Sequence, residues 1–118
     1  MFNGIIFNTG KVKLIKSNVN SINISILTNL KFSNKELGSS VSCNGVCLTI
    51  NKIKGKIISF YISKETIKRS NFKSVKKNQI INLEKSLFYG QRISGHFNQG
   101  HVDTVATIKK ITILDKSW

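Results

Sequence analysis

Ser21-Ile22-Asn23-Ile24-Ser25-Ile26 alternates polar and apolar residues without a break. In an extended chain this alternation places Ile22, Ile24 and Ile26 on one face, which predicts a β-strand with one buried side. Other short apolar stretches recur on both sides of it, at 2–7, 11–16, 41–51, 57–62, 79–83 and 100–113. This spacing predicts an all-β fold, a small closed six-stranded antiparallel Greek-key barrel with one or two short helices.

Two short helical segments are predicted between the strands. Ser33 and Glu36 have the spacing of a capping box, which predicts a single helical turn over 34–37. Ser63 is a good N-cap for a second short helix over 65–69. No long helical pattern is visible, so helices are expected to be minor parts of the fold.

Glycine marks three predicted turns. Thr9-Gly10 is expected to turn the chain after an entry strand, and Asn44-Gly45 is typical of a tight turn or bulge. Lys54-Gly55-Lys56 predicts a hairpin loop between two strands. The polar stretch 71–78 is expected to be an irregular loop.

The length and composition indicate a single folded domain over residues 1–118. Hydrophobic residues make up 40% of the chain, which excludes a disordered tail. No apolar run of about 18 residues exists, and the N-terminus lacks the features of a signal peptide. A cytoplasmic location is therefore expected, with Cys43 and Cys47 reduced.

The formal net charge of +14 has two interpretations. One is an anionic partner, such as nucleic acid, a phosphate or a membrane surface. The other is a coding bias towards lysine, because only Arg69 and Arg92 are arginines and the lysines are spread along the chain. Aromatic residues do not alternate with basic ones along any strand, which argues against a nucleic-acid-binding barrel.

The stretch from Ser94 to Asp103 contains both histidines, two glycines and an acid. A histidine there can carry a proton near neutral pH. A zinc site formed by two cysteines and two histidines is an alternative, because Cys-x3-Cys and His-x4-His are tolerable spacings; the long gap and the strand context argue against it. Its ligands would be Cys43, Cys47, His96 and His101.

Five motifs in order resemble the N-terminal half of riboflavin synthase. Each would be weak alone, but their order and spacing cover nearly the whole chain. They are Met1-Phe2-Asn3-Gly4-Ile5, Asn44-Gly45-Val46-Cys47-Leu48-Thr49, Glu65-Thr66 with Asn71, Ile81-Asn82-Leu83-Glu84, and Gly95-His96 with Gly100-His101.

The resemblance implies a chain of two similar barrels that assembles as a trimer. It also implies a dismutation in which two molecules of 6,7-dimethyl-8-ribityllumazine exchange a four-carbon unit, giving riboflavin and a pyrimidine without a metal or organic cofactor. Because the sequence stops at about half the family's length, we expect a single N-terminal lumazine-binding barrel that self-associates as a dimer in place of the family's trimer. A non-catalytic lumazine- or flavin-binding module is the main alternative.

A flat lumazine ring needs aliphatic walls and backbone polar groups at its edge, and its ribityl chain needs hydroxyl partners. His101 is the candidate proton carrier and Cys47 the candidate nucleophile. A purely structural interpretation stays open for three of these residues: Cys47 as a small buried core residue, His101 as a structural histidine, and Glu65 as a solvated acid at the start of a helix. The predicted substrate-binding residues are Gly4, Ile5, Ile6, Cys47, Leu48, Thr49, Tyr61, Ile62, Ser63, Lys64, Glu65, Thr66, Gly100, His101 and Val102.

Overall fold

The computed structural model describes residues 1–117. Trp118, the last residue of the predicted 1–118 domain, lies outside them. Six strands close an antiparallel barrel in the order β1-β2-β5-β4-β3-β6, which confirms the predicted fold class. One short helix and two 3-10 turns accompany the barrel. The strands are β1 (Asn8–Asn18), β2 (Ser21–Thr28), β3 (Ser40–Cys43), β4 (Val46–Lys54), β5 (Ile57–Ser63) and β6 (Ile80–Lys85); the helix is α1 (Lys64–Arg69), and the 3-10 turns are Asn34–Glu36 and Asn71–Ser74.

The predicted strand around Ile24 is confirmed and supplies the centre of the core. Ile22, Ile24 and Ile26 point into the barrel, and Ile24 has no exposed surface. Each fully buried isoleucine contributes roughly 1.5–3 kcal/mol relative to an exposed one. The three residues lie opposite inward-pointing residues of β5, in the pairs Ile22–Ile62, Ile24–Phe60 and Ile26–Ile58.

The predicted turn at Thr9-Gly10 is wrong, because β1 runs straight through it. Gly10 stands there because the barrel wall leaves no room for a side chain: an added Cβ would clash with Ile26 and lie 2.7 Å from Leu83 Cδ1. The predicted entry strand at 2–7 is also wrong. Within that stretch only Phe2 forms a β-bridge, with Asn98, and the first strand begins at Asn8.

The other turns and caps agree with the sequence. Asn44 and Gly45 both have positive φ, 49° and 84°, and form a two-residue hairpin turn between β3 and β4. Glu36 Oε2 accepts a hydrogen bond from the Ser33 amide at 2.8 Å, and Ser63 Oγ accepts one from the Thr66 amide at 3.3 Å. The two predicted helical segments are thereby confirmed.

Two predictions fail towards the C-terminus. The expected loop at 71–78 contains a 3-10 turn at its start, which buries Phe72 in the core. The expected strand at 100–113 is wrong, because this segment forms no strand in the described structure and most of it is exposed. Its start contacts the barrel through the hydrogen bond from the Cys47 amide to the Gly100 carbonyl, because β4 pairs with β5 only from Ile50 onwards. No helix among residues 1–117 is long and apolar enough to cross a membrane.

Candidate ligand-binding site

Residues 97–103, which we call the crossing segment, run over the outside of the barrel. Asn98 pairs with the buried Phe2, donating an amide hydrogen bond to its carbonyl at 3.0 Å and accepting one from its amide at 2.8 Å. Further on, the carbonyl of Gly100 accepts a hydrogen bond from the Cys47 amide at 2.8 Å. The crossing segment therefore joins the N-terminal residues to the outer edge of β4.

Gly100 fits only because it lacks a side chain. Its φ is +75°, a region that L-residues rarely adopt. An added Cβ would lie 2.8 Å from Cys47 Cβ and 3.2 Å from Phe2 Cε2. The approach of the crossing segment to β4 thus depends on glycine at this position.

Glu84, at the end of β6, holds the N-terminal residues in place. Its carboxylate accepts hydrogen bonds from the amides of Asn3, at 2.6 Å, and Gly4, at 3.1 Å. The sequence motif Ile81-Asn82-Leu83-Glu84 contained this residue but indicated no role for it. The motif could not indicate this role, because the hydrogen-bond partner Asn3 lies 81 residues away in the sequence.

A first cavity of about 730 Å³ opens between the N-terminal residues, β6 and the crossing segment. Its walls combine aromatic rings with amides, a carboxylate and a histidine. Of the predicted site residues, Gly4, Ile6, Gly100 and His101 line it. Phe2, Ser42, Gly45, Asn82, Glu84, Phe97, Asn98 and Gln99 complete the lining.

A second cavity of about 190 Å³ lies on the other side of the crossing segment, between β4 and α1. It shares Gly100 and His101 with the first, so the exposed His101 stands at the junction of the two. Six predicted site residues come together here although three separate stretches supply them. The lining is Val46, Cys47, Glu65, Thr66, Arg69, Gly100, His101 and Val102.

Seven predicted site residues line neither of these cavities within the described chain. Leu48 and Ile62 point into the barrel core because side chains alternate along a strand. Thr49 lies on the same outward face as Cys47 but beyond the second cavity, and Ser63 caps α1. The remaining three are Ile5, Tyr61 and Lys64.

Arg69 also lines the second cavity, although it is not among the site residues predicted from the sequence. Its Nε donates a hydrogen bond to Glu65 Oε1 at 2.5 Å, and its Nη1 donates one to the Asp103 carbonyl at 3.5 Å. The hydrogen bond from Arg69 lowers the pKa of Glu65, and the reverse contact raises the pKa of Arg69. The i, i+4 spacing of Glu65 and Arg69 in the predicted helix was the signal that could have identified the pair.

The two free cysteines have different surroundings. Cys43 is fully buried, and desolvation raises the pKa of its thiol, with a smaller contribution from Cys47. Cys43 therefore remains protonated and behaves as a core residue. Cys47 is partly exposed and lines the second cavity. Over residues 1–117, no three His, Cys, Asp or Glu side chains are grouped as a metal site would require.

The sequence family described as "Lumazine binding domain" matches residues 3–86 of this chain. The chain belongs to this family. Among curated relatives, the riboflavin synthase of Photobacterium leiognathi is 38% identical over 92% of this chain, and that of Escherichia coli strain K12 is 34% identical over 94%. These matches cover 50% and 53% of those enzymes. The chain thus spans about half the length of the curated relatives it matches.

Solved structures of the protein LumP have the same fold as this lumazine binding domain. LumP complexed with riboflavin superimposes with a TM-score of 0.77 and 27% identity, over 98% of this chain and 62% of that one. LumP complexed with 6,7-dimethyl-8-(1'-D-ribityl) lumazine also gives a TM-score of 0.77, over 98% of this chain and 64% of that one. The similarity extends past the barrel into the crossing segment, because nearly the whole chain is covered.

Proposed function

We propose that this lumazine binding domain binds 6,7-dimethyl-8-ribityllumazine and riboflavin, and that it provides one half of a riboflavin synthase. The observation that carries the proposal is the second cavity, where Cys47, Thr66 and His101 meet although they come from three separate motifs. Two further observations support the proposal. This chain matches about half the length of the related riboflavin synthases, and the similar LumP structures contain riboflavin or a ribityl lumazine.

The second cavity offers the groups that such a ligand needs. Cys47 and Val102 provide apolar contacts for a flat ring, and Thr66 provides a hydroxyl close to the start of α1. Ser63 Oγ lies 3.1 Å from Thr66 Oγ1, so the two hydroxyls form one polar patch for the ribityl chain. At about 190 Å³ the cavity is smaller than the roughly 300–1,000 Å³ usual for ligand sites. We therefore propose that the ligand extends along the exposed outer face of β4, over Thr49.

The proposed reaction transfers a four-carbon unit between two lumazines and yields riboflavin and a pyrimidine. It begins when a proton leaves a ring methyl that the conjugated ring makes acidic. His101 is our candidate for the group that takes or relays this proton, and Cys47 for a nucleophile that adds to the ring. Holding two rings together by proximity supplies much of the rate, and no metal or organic cofactor takes part in the proposed chemistry.

Two rings in contact require two binding surfaces. We propose that a second copy of the barrel provides the other surface, either as a dimer or within a family-like trimer. The domain assignment 1–118 and a cytoplasmic location also remain predictions. A small molecule is the proposed partner in preference to nucleic acid, because the structurally similar LumP is complexed with riboflavin and with a ribityl lumazine, and because aromatic residues do not alternate with basic ones along any strand.

Fluorescence titration with riboflavin tests the binding, and incubation with 6,7-dimethyl-8-ribityllumazine tests turnover. We expect quenching that saturates at one ligand per chain, and we expect Thr66→Val to weaken it. Thr104→Val, outside the second cavity, is the matched control. Binding without turnover would support a binding module, and the absence of both would reject the proposal.

A further inference from the structure

Arg69 contacts two parts of the molecule that border the second cavity. It is the last residue of α1, and its Nε donates a hydrogen bond to Glu65 one turn earlier, at 2.5 Å. Its Nη1 donates to the carbonyl of Asp103, in the crossing segment, at 3.5 Å. One guanidinium group therefore connects α1 to the crossing segment.

The crossing segment is held on both sides of the cavity. At one end, the Gly100 carbonyl accepts the hydrogen bond from Cys47 at 2.8 Å. At the other end, the Asp103 carbonyl accepts the hydrogen bond from Arg69. Val102, between these points, packs against the barrel core. His101 and Val102 lie between these two hydrogen bonds and line the cavity. The two hydrogen bonds therefore determine the positions of their side chains.

We infer that Arg69 is a positioning residue, which holds the crossing segment against α1 and thereby sets the opening of the second cavity. Glu65 acts through Arg69, by orienting its guanidinium, and does not itself contact the ribityl chain. This inference rests on the proposed function, because it names what keeps the same site in shape. Lysine cannot replace Arg69, since an ammonium group lacks the planar fork that reaches both partners.

The charges around Arg69 support this arrangement. Its pKa is raised first by the hydrogen bond to Glu65, and Asp103 contributes in the same direction. The pKa of Glu65 is lowered, again first by Arg69. Both side chains are half exposed or more, 50% for Arg69 and 62% for Glu65. Ion pairs and hydrogen bonds this exposed are weak, so Arg69 holds the crossing segment only weakly against α1.

Alkylation of Cys47 by iodoacetamide tests the positioning role without any ligand. Cys47 lies against Gly100 and lines the cavity, whereas the buried Cys43 gives an internal reference. We expect Arg69→Met to accelerate the labelling of Cys47 about two- to fivefold, the range that corresponds to losing an exposed ion pair. Arg69→Lys should behave in the same way. Lys68→Met, which removes the neighbouring charge, should leave the rate at the wild-type value.

An unchanged labelling rate in Arg69→Met, or a wild-type rate in Arg69→Lys, would overturn the inference. Riboflavin affinity supplies the second test, through Arg69→Met, Glu65→Gln and the double variant. Each single change should weaken binding about two- to fivefold, and the double variant should bind no more weakly than either. Additive losses would mean that Glu65 contacts the ligand directly. If the wild-type chain binds no riboflavin, the proposed function fails, while the labelling result still decides the role of Arg69.

Discussion

Gly100 and Cys47 are joined by an amide-to-carbonyl hydrogen bond of 2.8 Å, and they approach so closely that a Cβ on Gly100 would lie 2.8 Å from Cys47 Cβ. This pair brings the crossing segment onto the outer edge of β4. It also separates the two cavities that share Gly100 and His101. The candidate site exists because these two residues, 53 positions apart by their numbers (100 − 47), are neighbours in the fold.

Gly100→Ala should displace the crossing segment and leave the barrel folded. The added methyl group meets Cys47 and Phe2 at a φ of +75°, so both the contact and the backbone conformation are unfavourable. We expect riboflavin affinity to fall about tenfold or more, with a stability loss of about 1–3 kcal/mol in urea unfolding.

Gly55→Ala is the matched control for that experiment. Gly55 also has a positive φ, +57°, but within the described chain its Cβ would meet no atom within 4 Å. It should lower stability by the backbone effect alone and leave riboflavin binding unchanged. Equal losses of affinity in the two variants would mean that the Gly100 contact does not shape the site.

Glu84→Gln should loosen the N-terminal residues. The carboxylate accepts hydrogen bonds from the amides of Asn3 and Gly4, and bonds to a charged acceptor are stronger than bonds to a neutral one. We expect a stability loss of about 1 kcal/mol and faster proteolysis at the N-terminus. Asp115→Asn, which removes an exposed carboxylate far along the chain, should change neither.

His101→Gln should abolish most turnover while leaving riboflavin binding within a few fold of wild type. A positioned proton carrier contributes about 10²–10⁴-fold to the rate, and glutamine keeps the polar bulk without the titratable group. His96→Gln is the control, since His96 lines neither cavity in the described structure. Steady-state kinetics with 6,7-dimethyl-8-ribityllumazine compares the turnover of the two variants. Equal turnover in His101→Gln and His96→Gln would remove His101 from the proposed mechanism.

Glu36→Gln should lower stability at neutral pH and have no effect in acid. Lys85 Nζ lies 2.5 Å from Glu36 Oε1, and this hydrogen bond is the main cause that lowers the pKa of Glu36 below its ordinary 4.5. Because the folded-state pKa lies below the unfolded one, the stabilisation is complete above pH 4.5 and is lost as the pH falls through the folded pKa.

The magnitude of that effect is modest, since Lys85 and Glu36 are 37% and 32% exposed. We expect a difference of about 0.5 kcal/mol between wild type and Glu36→Gln at pH 7, which shrinks as the pH falls below 4.5. Urea unfolding at several pH values measures it. The ammonium of Lys85 also lies 4.4 Å from the centroid of the Phe32 ring, so Phe32→Leu tests whether that contact adds to the pair.

Local pattern alone was enough for several elements of this protein. The alternation around Ile24 predicted a strand with a buried face, and Asn44-Gly45 predicted a hairpin turn. Ser63 predicted the start of α1. Each of these depends on residues within a few positions of one another, where side-chain direction and backbone preference act directly.

Contacts between distant residues decided the rest. Gly10 has the local pattern of a turn, but Ile26 and Leu83 lie against it in the barrel wall. Residues 100–113 have the pattern of a strand but form no strand in the described structure. The sequence also did not indicate that Glu84 binds the amide of Asn3 or that Arg69 contacts the carbonyl of Asp103. The sequence determined which residues favour extended chain, turns and caps. Only the closure of the barrel, which brings distant segments together, decided which of them meet at the site.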